Sequence, residues 1–335
     1  MKRLLLFISI GIFWSNTYAQ DIADKKEGEF TGIKKVIVDA DFCTLKMMGH
    51  ERNDVVFTGI LKSNENQDAY QIEILNQEDT LRINVVKPEN WTSHWGELTL
   101  MLPVGLNIEV STQSGKVEAE GLKELKLNIV SKSGHVFLTN LEGNAWVDTP
   151  VGNLTVTNFM GDLKSRTKTG AVNIKTLKGN ADVSCNKGLM IISDVQGKLL
   201  VDGGTGNLEV EKVEGEIMLK STSGNTKLSI ASGNIVCKSF NGDMKLFNTS
   251  GIYDVQTSTG NIVGTRVALN ASSMFTTTEG NIKMQLDTKT GLMFELKSDN
   301  SFLRAMEKSK KKSLKIGKGD ILITGTSTTG SQAYY

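Results

Sequence analysis

The chain has 335 residues, and its 38 basic and 37 acidic side chains give a formal net charge of +1 at pH 7. This balanced charge does not indicate that the protein as a whole binds nucleic acid or an anionic membrane surface. With 33 glycines, 3 prolines and 6% aromatic residues, the composition favours long β-structure with tight turns over disorder.

The first residues have the pattern of a secretory signal peptide. Lys2 and Arg3 precede an apolar run at residues 4–14, and residues 17–19 resemble a cleavage site. The run is too short to span a bilayer comfortably, and no cysteine lies near the cut. We therefore predict a signal peptide at residues 1–19 and a mature chain from Gln20 with no transmembrane segment. The protein is expected to be exported to the periplasm, the cell surface or the medium.

The next segments show the period-2 alternation of half-buried strands. Residues 20–29 are polar and predict a flexible lead-in. Residues 30–110 predict N-terminal β coils or a cap, with alternating runs such as 36–38, 55–60 and 81–86. An irregular loop at residues 87–97 interrupts them.

A strictly periodic region follows, in which a glycine occurs at every ninth residue. Fixed-period self-similarity indicates a repeat architecture. The glycines predicted to form structural turns are Gly134, Gly143, Gly152, Gly161, Gly170, Gly179, Gly188, Gly197, Gly206, Gly215, Gly224, Gly233, Gly242, Gly251 and Gly260.

Alternate nine-residue units differ, so the true repeat is eighteen residues. The second and fourth residues after each glycine are mostly apolar, as at Val136 and Leu138. In one set of units the seventh is apolar too, as at Leu141. Two inward residues separated by one outward residue make a short strand, and each glycine permits a turn. Because parallel crossovers are right-handed, we predict an all-β, right-handed parallel β-helix or solenoid with 18-residue coils made of two 9-residue half-turns. It covers residues 111–284, and residues 285–335 predict a C-terminal β cap and tail.

Asparagine often follows the glycine. Stacked at equivalent positions, these side chains predict amide ladders along a corner. They are Asn144, Asn153, Asn180, Asn207, Asn225, Asn234 and Asn261.

The three cysteines lie at scattered positions with no metal-type spacing. The repeat phase places Cys237 inward and Cys185 outward, so we expect no bridge between them. Together with Cys43 they are interpreted as small buried or inert thiols.

A family resemblance rests on three stretches: Leu100-Met101-Leu102-Pro103, residues 108–115, and repeat units such as Ser232-Gly233-Asn234-Ile235-Val236. These resemble the DUF4097/DUF2807 group of adhesins and auto-transporter adhesin heads (the GIN type), over about residues 30–325. The resemblance implies a β-helical surface or periplasmic protein and no catalytic residues.

The sequence predicts no catalytic, metal or cofactor site. Calcium-binding nonapeptide rolls need paired glycines and a carboxylate at every turn, and this chain lacks both. A polysaccharide-cleaving site needs clustered outward carboxylates. The outward acids here interleave with basic residues such as Arg166, Lys168, Lys175, Lys212 and Lys220; they are Asp148, Asp182, Asp194, Glu209, Glu211 and Asp254. The histidines, His50, His94 and His135, lie in different contexts.

Two irregular segments are candidates for contact with a partner. Trp91, His94 and Trp95 lie in a polar loop, where they either stack on sugar rings or fold back onto the core. A lysine cluster at residues 308–318 either contacts anionic polymer or lipid headgroups or protects a solvated edge.

The leading hypothesis is a non-enzymatic, exported cell-envelope β-solenoid that acts as an adhesin-like or scaffold protein. Its partner would be a cell-surface polysaccharide or an envelope protein. Two alternatives remain open: a carbohydrate-active lyase or hydrolase on a β-helix, and an envelope-stress sensing module.

Overall fold

The computed structural model describes residues 21–65, 67–89, 94–288 and 291–335. The predicted signal peptide lies outside these residues. The regular structure of the described chain consists of β-strands and one short 3-10 turn, Gln67–Ala69. The strands form one continuous hydrogen-bonded sheet, and the buried apolar side chains form one core inside it. No helix in these ranges is long and apolar enough to cross a membrane.

The N-terminal part begins the solenoid and covers its first end. Its strands are β1 (Asp21–Thr31), β2 (Lys35–Asp41), β3 (Thr44–Gly49), β4 (Asp54–Ser63), β5 (Gln71–Gln77), β6 (Thr80–Val86), β7 (His94–Leu102), β8 (Asn107–Thr112) and β9 (Val117–Glu120). β2 lies between β6 and β8, and β3 between β7 and β9, all in parallel. Beyond them, β5 pairs antiparallel with β6, and β4 with β7.

The prediction of a flexible lead-in at residues 20–29 is wrong from Asp21 onward. β1 pairs antiparallel with β4 from Asp21 to Thr31. Its side chains are mostly exposed because it is an edge strand that covers little of the core. Composition therefore indicated no strand, although backbone hydrogen bonds to β4 are enough to form one.

The periodic region folds as stacked parallel coils. Its strands are β10 (Leu125–Ser131), β11 (Val136–Val151), β12 (Leu154–Thr169), β13 (Val172–Lys178), β14 (Ala181–Lys187), β15 (Met190–Gln196), β16 (Leu199–Asp202), β17 (Leu208–Ser223), β18 (Thr226–Asn241), β19 (Met244–Thr259), β20 (Ile262–Leu269), β21 (Ser273–Glu279) and β22 (Ile282–Leu286). Val136 pairs with Leu154, and Leu154 with Val172, so equivalent residues are eighteen apart. All three are buried, and the predicted parallel β-solenoid is confirmed.

The glycine columns combine a positive φ with close backbone packing. Gly179 has φ 136°, a conformation that L side chains rarely adopt. A Cβ there would overlap the carbonyl oxygen of Gly161, one coil earlier. Gly134, Gly206 and Gly251 have no positive φ, and only the close packing applies to them. Close backbone approach is therefore the requirement that these periodic glycines share, and a positive φ is an additional one at most of them.

A second type of corner uses residues other than glycine. Asn140 and Asn158 have φ 54°, and the equivalent position of later coils is also left-handed, as at Thr176. One residue in this conformation shifts the alternation of side chains by one position. Leu141 and Phe159 therefore point inward, which explains the apolar seventh residue of these units.

Cys185 does not point outward, so that prediction is wrong. It is fully buried, and its Sγ lies 3.3 Å from the carbonyl oxygen of Gly170. In this half-turn the alternation continues without a shift, so the sixth residue after the glycine faces inward as well. Thr149 occupies the equivalent place in an earlier coil, and its hydroxyl donates to the Gly134 carbonyl at 3.1 Å. All three cysteines are free and buried.

The predicted asparagine ladders are present in part: Asn234 stacks between Glu216 and Ile252, but another column forms a ladder that bonds mainly to the backbone. Asn207 Oδ1 accepts a hydrogen bond from the N–H of Asn225 at 3.0 Å, and Asn225 Oδ1 from the N–H of Asp243 at 3.1 Å. Asp243 continues the column to Asn261 at 2.8 Å. These bonds satisfy corner amides that the sheet leaves unpaired.

At the C-terminal end, two extra strands are inserted in the sequence between one coil and the next. The strands of this end are β23 (Leu292–Ala305), β24 (Lys308–Gly317), β25 (Ile321–Thr329) and β26 (Gln332–Tyr334). β25 and β26 stack in parallel on β21 and β22, and β23 stacks on both of them. β24 pairs antiparallel with β23 and forms the last layer.

Candidate functional site

The predicted aromatic site is only partly assembled. Trp91 lies outside the described residues. His94 packs edge-to-face on Phe42, with ring centroids 4.1 Å apart, and lies parallel to Tyr70 at 6.5 Å. Burial and the nearby charge of Lys87 lower the pKa of His94. His94 is thus a packing residue of the N-terminal part.

Trp95 has a different environment. Its side chain is 41% exposed on the outer face of β7. Lys62, directly opposite on β4, places its Nζ 5.2 Å from the centre of the indole. Trp95 therefore presents an accessible aromatic surface next to a cation, without His94 beside it.

Three of the six outward carboxylates that a hydrolytic site would draw on are paired with cations. Asp182 lies 3.6 Å from Lys164 Nζ, and Asp254 lies 3.3 Å from Lys238 Nζ. Asp194 is 3.8 Å from Lys212. Across the described ranges, no three His, Cys, Asp or Glu side chains converge as a metal site would require.

An open groove of about 510 Å³ runs along one outer face of the solenoid, next to Trp146. Trp146 lies on β11 between the inward residues Ala145 and Val147, so its indole projects from the sheet. Stacked coils place Asn128 on one side of it and Lys164 on the other. Neighbouring strands in such a stack are about 4.8 Å apart, so the groove crosses several coils.

Cations hold the Trp146 ring in place. Lys164 Nζ and the Arg166 guanidinium carbon each lie 5.2 Å from the ring centre. Such contacts stabilise an exposed ring by about 0.5–1 kcal/mol. The indole is half-buried by this arrangement, and its remaining surface faces the groove.

A corner column of polar side chains borders the groove. Asn144, Asp162 and Asn180 occupy equivalent positions in successive coils. Asn180 Nδ2 donates to Asp162 Oδ1 at 2.9 Å. The groove thus combines an aromatic surface with fixed amide and carboxylate groups, a combination suited to a ligand that has both an apolar face and hydroxyl groups.

Trp146 was not among the residues predicted to contact a partner. The signal was present, because the third residue after Gly143 is outward in the repeat phase and is a tryptophan. Its neighbours Lys164 and Arg166 are eighteen and twenty residues away, so their contact becomes visible only when the coils are stacked in register.

The fold is a β-solenoid with an open groove along one outer face. Residues 44–238 match the family model described as Toastrack DUF4097. This match covers more than half of the chain, which therefore belongs to the Toastrack DUF4097 family. The DUF4097 part of the resemblance is confirmed, and the DUF2807 and GIN-type parts stay predictions. Comparison with curated proteins finds no match.

Two solved structures align along nearly the whole chain. A candidate cell adhesion protein from Clostridium sporogenes is 13% identical, covers 93% of this chain and 99% of its own, and has a TM-score of 0.19. A candidate adhesin from Bacteroides fragilis is 11% identical, covers 95% and 98%, and has a TM-score of 0.26. At TM-scores this low, neither comparison carries an argument about fold or function.

Proposed function

We propose that this protein is a non-enzymatic, exported, adhesin-like β-solenoid of the cell envelope that binds a polysaccharide along the Trp146 groove. The observation that carries the proposal is the groove itself, where a cation-supported indole adjoins stacked amide and carboxylate side chains. The apolar face of a sugar ring stacks on an indole while its hydroxyls bond to polar neighbours.

The groove is suited to a polymer because its contacts repeat along the solenoid axis. Asn144 and Asn180 lie two coils apart, about 10 Å at the strand spacing of a sheet. A repeating ligand lying along the axis meets equivalent polar groups at successive coils, which raises its affinity through several weak contacts. Export rests on the signal-peptide pattern of residues 1–19.

The absence of catalysis is part of the proposal. Its support is that both carboxylates lining the groove are engaged by neighbours: Asp182 lies 3.6 Å from Lys164 Nζ, and Asp162 accepts a hydrogen bond from Asn180 Nδ2 at 2.9 Å. Glycoside cleavage needs a pair of carboxyl groups free to act on the substrate as acid and as base or nucleophile, and neither groove carboxylate is free in this way.

A carbohydrate array tests the proposal. We expect the protein to retain at least one envelope polysaccharide, and the Trp146→Ala variant to lose that signal while Trp95→Ala keeps it. Incubation with the retained glycan should release no new reducing or unsaturated ends. Binding to no glycan on the array, or binding that is unchanged in Trp146→Ala, would contradict the proposal. Release of oligosaccharides would favour the carbohydrate-active alternative.

A further inference from the structure

β24, the edge strand that forms the last layer of the solenoid, carries an unusually high positive charge. β24 contains Lys308, Lys310, Lys311, Lys312 and Lys315 and no acidic residue. One ten-residue strand thus holds five positive charges in a chain whose net charge is +1. Its first six residues are all exposed. The C-terminal end of the solenoid is therefore a concentrated basic surface.

Protection of a sheet edge does not explain this excess. β1 is also an edge strand, which among the described strands pairs with β4 alone, and its charges are of both signs. Lys25 forms an ion pair with Glu27 at 2.7 Å, and Lys26 with Asp24 at 3.9 Å. Charge of either sign blocks edge pairing, so β1 is protected without a net positive field. The lysines of β24 exceed what the same task requires.

These lysines are also largely uncompensated. Lys315 lies 3.9 Å from Glu295, and for the other four no carboxylate of the described residues lies within ion-pair distance. Four ammonium groups on one short strand repel one another, at a cost in stability that an anionic partner would remove.

An exposed aromatic ring adjoins this surface. Phe302 on β23 is 59% exposed and is the register partner of Lys311. Lys311 Nζ lies 4.8 Å from the ring centre, so cation and ring face the same side. A soluble polyanion would need only the cations. A bilayer surface accommodates both, because lysines meet anionic headgroups and an aromatic ring inserts at the interface.

We propose that the β24 surface, with Phe302, docks the C-terminal end of the solenoid onto an anionic lipid bilayer. The interaction is peripheral and electrostatic, and it weakens as salt screens the lysines. It is independent of the groove ligand, because Trp146 lies many coils away along the axis. Docking by this end leaves the Trp146 face free along the side of the solenoid.

Vesicle cosedimentation tests the proposal with the purified protein. Phosphatidylcholine vesicles with and without phosphatidylglycerol are compared at low and at physiological ionic strength. The test variant replaces Lys308, Lys310, Lys311 and Lys312 with glutamine. The matched control removes the same charge from four exposed lysines elsewhere on the solenoid: Lys168, Lys187, Lys227 and Lys245.

We expect binding only to vesicles with phosphatidylglycerol, and less of it at higher salt. At about fivefold per lysine, the test variant should lose more than a hundredfold in partitioning, and the control variant far less. Equal loss in the two variants, or no binding to anionic vesicles at low salt, would overturn the proposal.

Phe302→Ser separates a bilayer from a soluble polyanion. We expect it to reduce vesicle partitioning about tenfold and to leave retention on immobilised polyphosphate unchanged. If Phe302→Ser has no effect on vesicles, and polyphosphate competes fully with them, the surface binds polyanions generally and the bilayer assignment is wrong. Unchanged thermal unfolding of each variant excludes misfolding as the cause.

Discussion

The Nζ of Lys164 lies 5.2 Å from the centre of the Trp146 indole, one coil further along the solenoid in strict register. This contact joins two neighbouring strands on the outer face. It holds the ring at the border of the groove, where a loosely attached indole would have to be ordered by the ligand at a cost in affinity.

A double-mutant cycle measures this contact. Trp146→Leu, Lys164→Gln and the double variant should give a coupling free energy of about 0.5–1 kcal/mol in urea unfolding. The same cycle with Lys168, which lies elsewhere in the coil, should give no coupling within error. Equal coupling for both lysines would contradict a specific contact.

Substitution at a stacked glycine should destabilise the solenoid more than substitution at an open one. Gly179→Ala introduces a methyl group that overlaps the Gly161 carbonyl, at φ 136°. We expect a loss of about 3 kcal/mol or more in the free energy of unfolding. Gly105 has φ 85° and open space where a Cβ would lie, so Gly105→Ala is the control and should cost about 1 kcal/mol. Similar losses in both variants would show that φ alone matters.

The glycine comparison also shows how far the sequence could predict the fold. The nine-residue period predicted the coil, and the apolar second and fourth residues, such as Val136 and Leu138, predicted the core. The left-handed corner was not predictable, because asparagine, threonine, lysine and isoleucine all occupy it, as at Asn140, Thr176, Lys212 and Ile230. Its conformation is imposed by stacking and not by one residue type.

The candidate site shows the same division. An outward tryptophan at position 146 follows from the repeat phase, whereas its contacts with Lys164 and Arg166 depend on the stacking register. The sequence could not separate a packing role from a contact role for His94, because the aromatic cluster that buries it draws on Phe42 and Tyr70, far away in sequence.

The three thiols should be unreactive in the folded protein. Burial raises the pKa of Cys237 to about 12 and also raises the pKa of Cys43 and Cys185. Because the thiolate is the reactive form, Ellman's reagent at pH 8 should label no thiol in native protein and three in denaturant. Fast labelling of any one thiol in native protein would contradict the buried position of that cysteine.

Stability should decrease as pH falls through the titration range of His94. Its pKa is lowered on folding from the ordinary value of 6.5, so the unfolded chain binds more protons below that pH. The stability that His94 contributes by staying neutral in the folded protein is therefore fully present above pH 6.5. It is lost as the pH decreases towards the folded-state pKa.

Urea unfolding between pH 5 and pH 8 checks this sign. His94→Phe keeps an aromatic ring and should flatten the dependence, whereas His135→Gln, at an exposed corner, should leave it in place. A steeper dependence in His94→Phe would contradict the account.

The most direct test of the binding face is the dissociation constant for the glycan retained best on the array, measured by titration calorimetry for the wild type, Trp146→Ala and Trp95→Ala. A tryptophan at the centre of a binding site contributes about 2 kcal/mol or more, so Trp146→Ala should weaken binding about thirtyfold. Trp95→Ala should leave the constant unchanged. Equal affinity for wild type and Trp146→Ala, with loss in Trp95→Ala, would place the ligand at the N-terminal end and contradict the groove assignment.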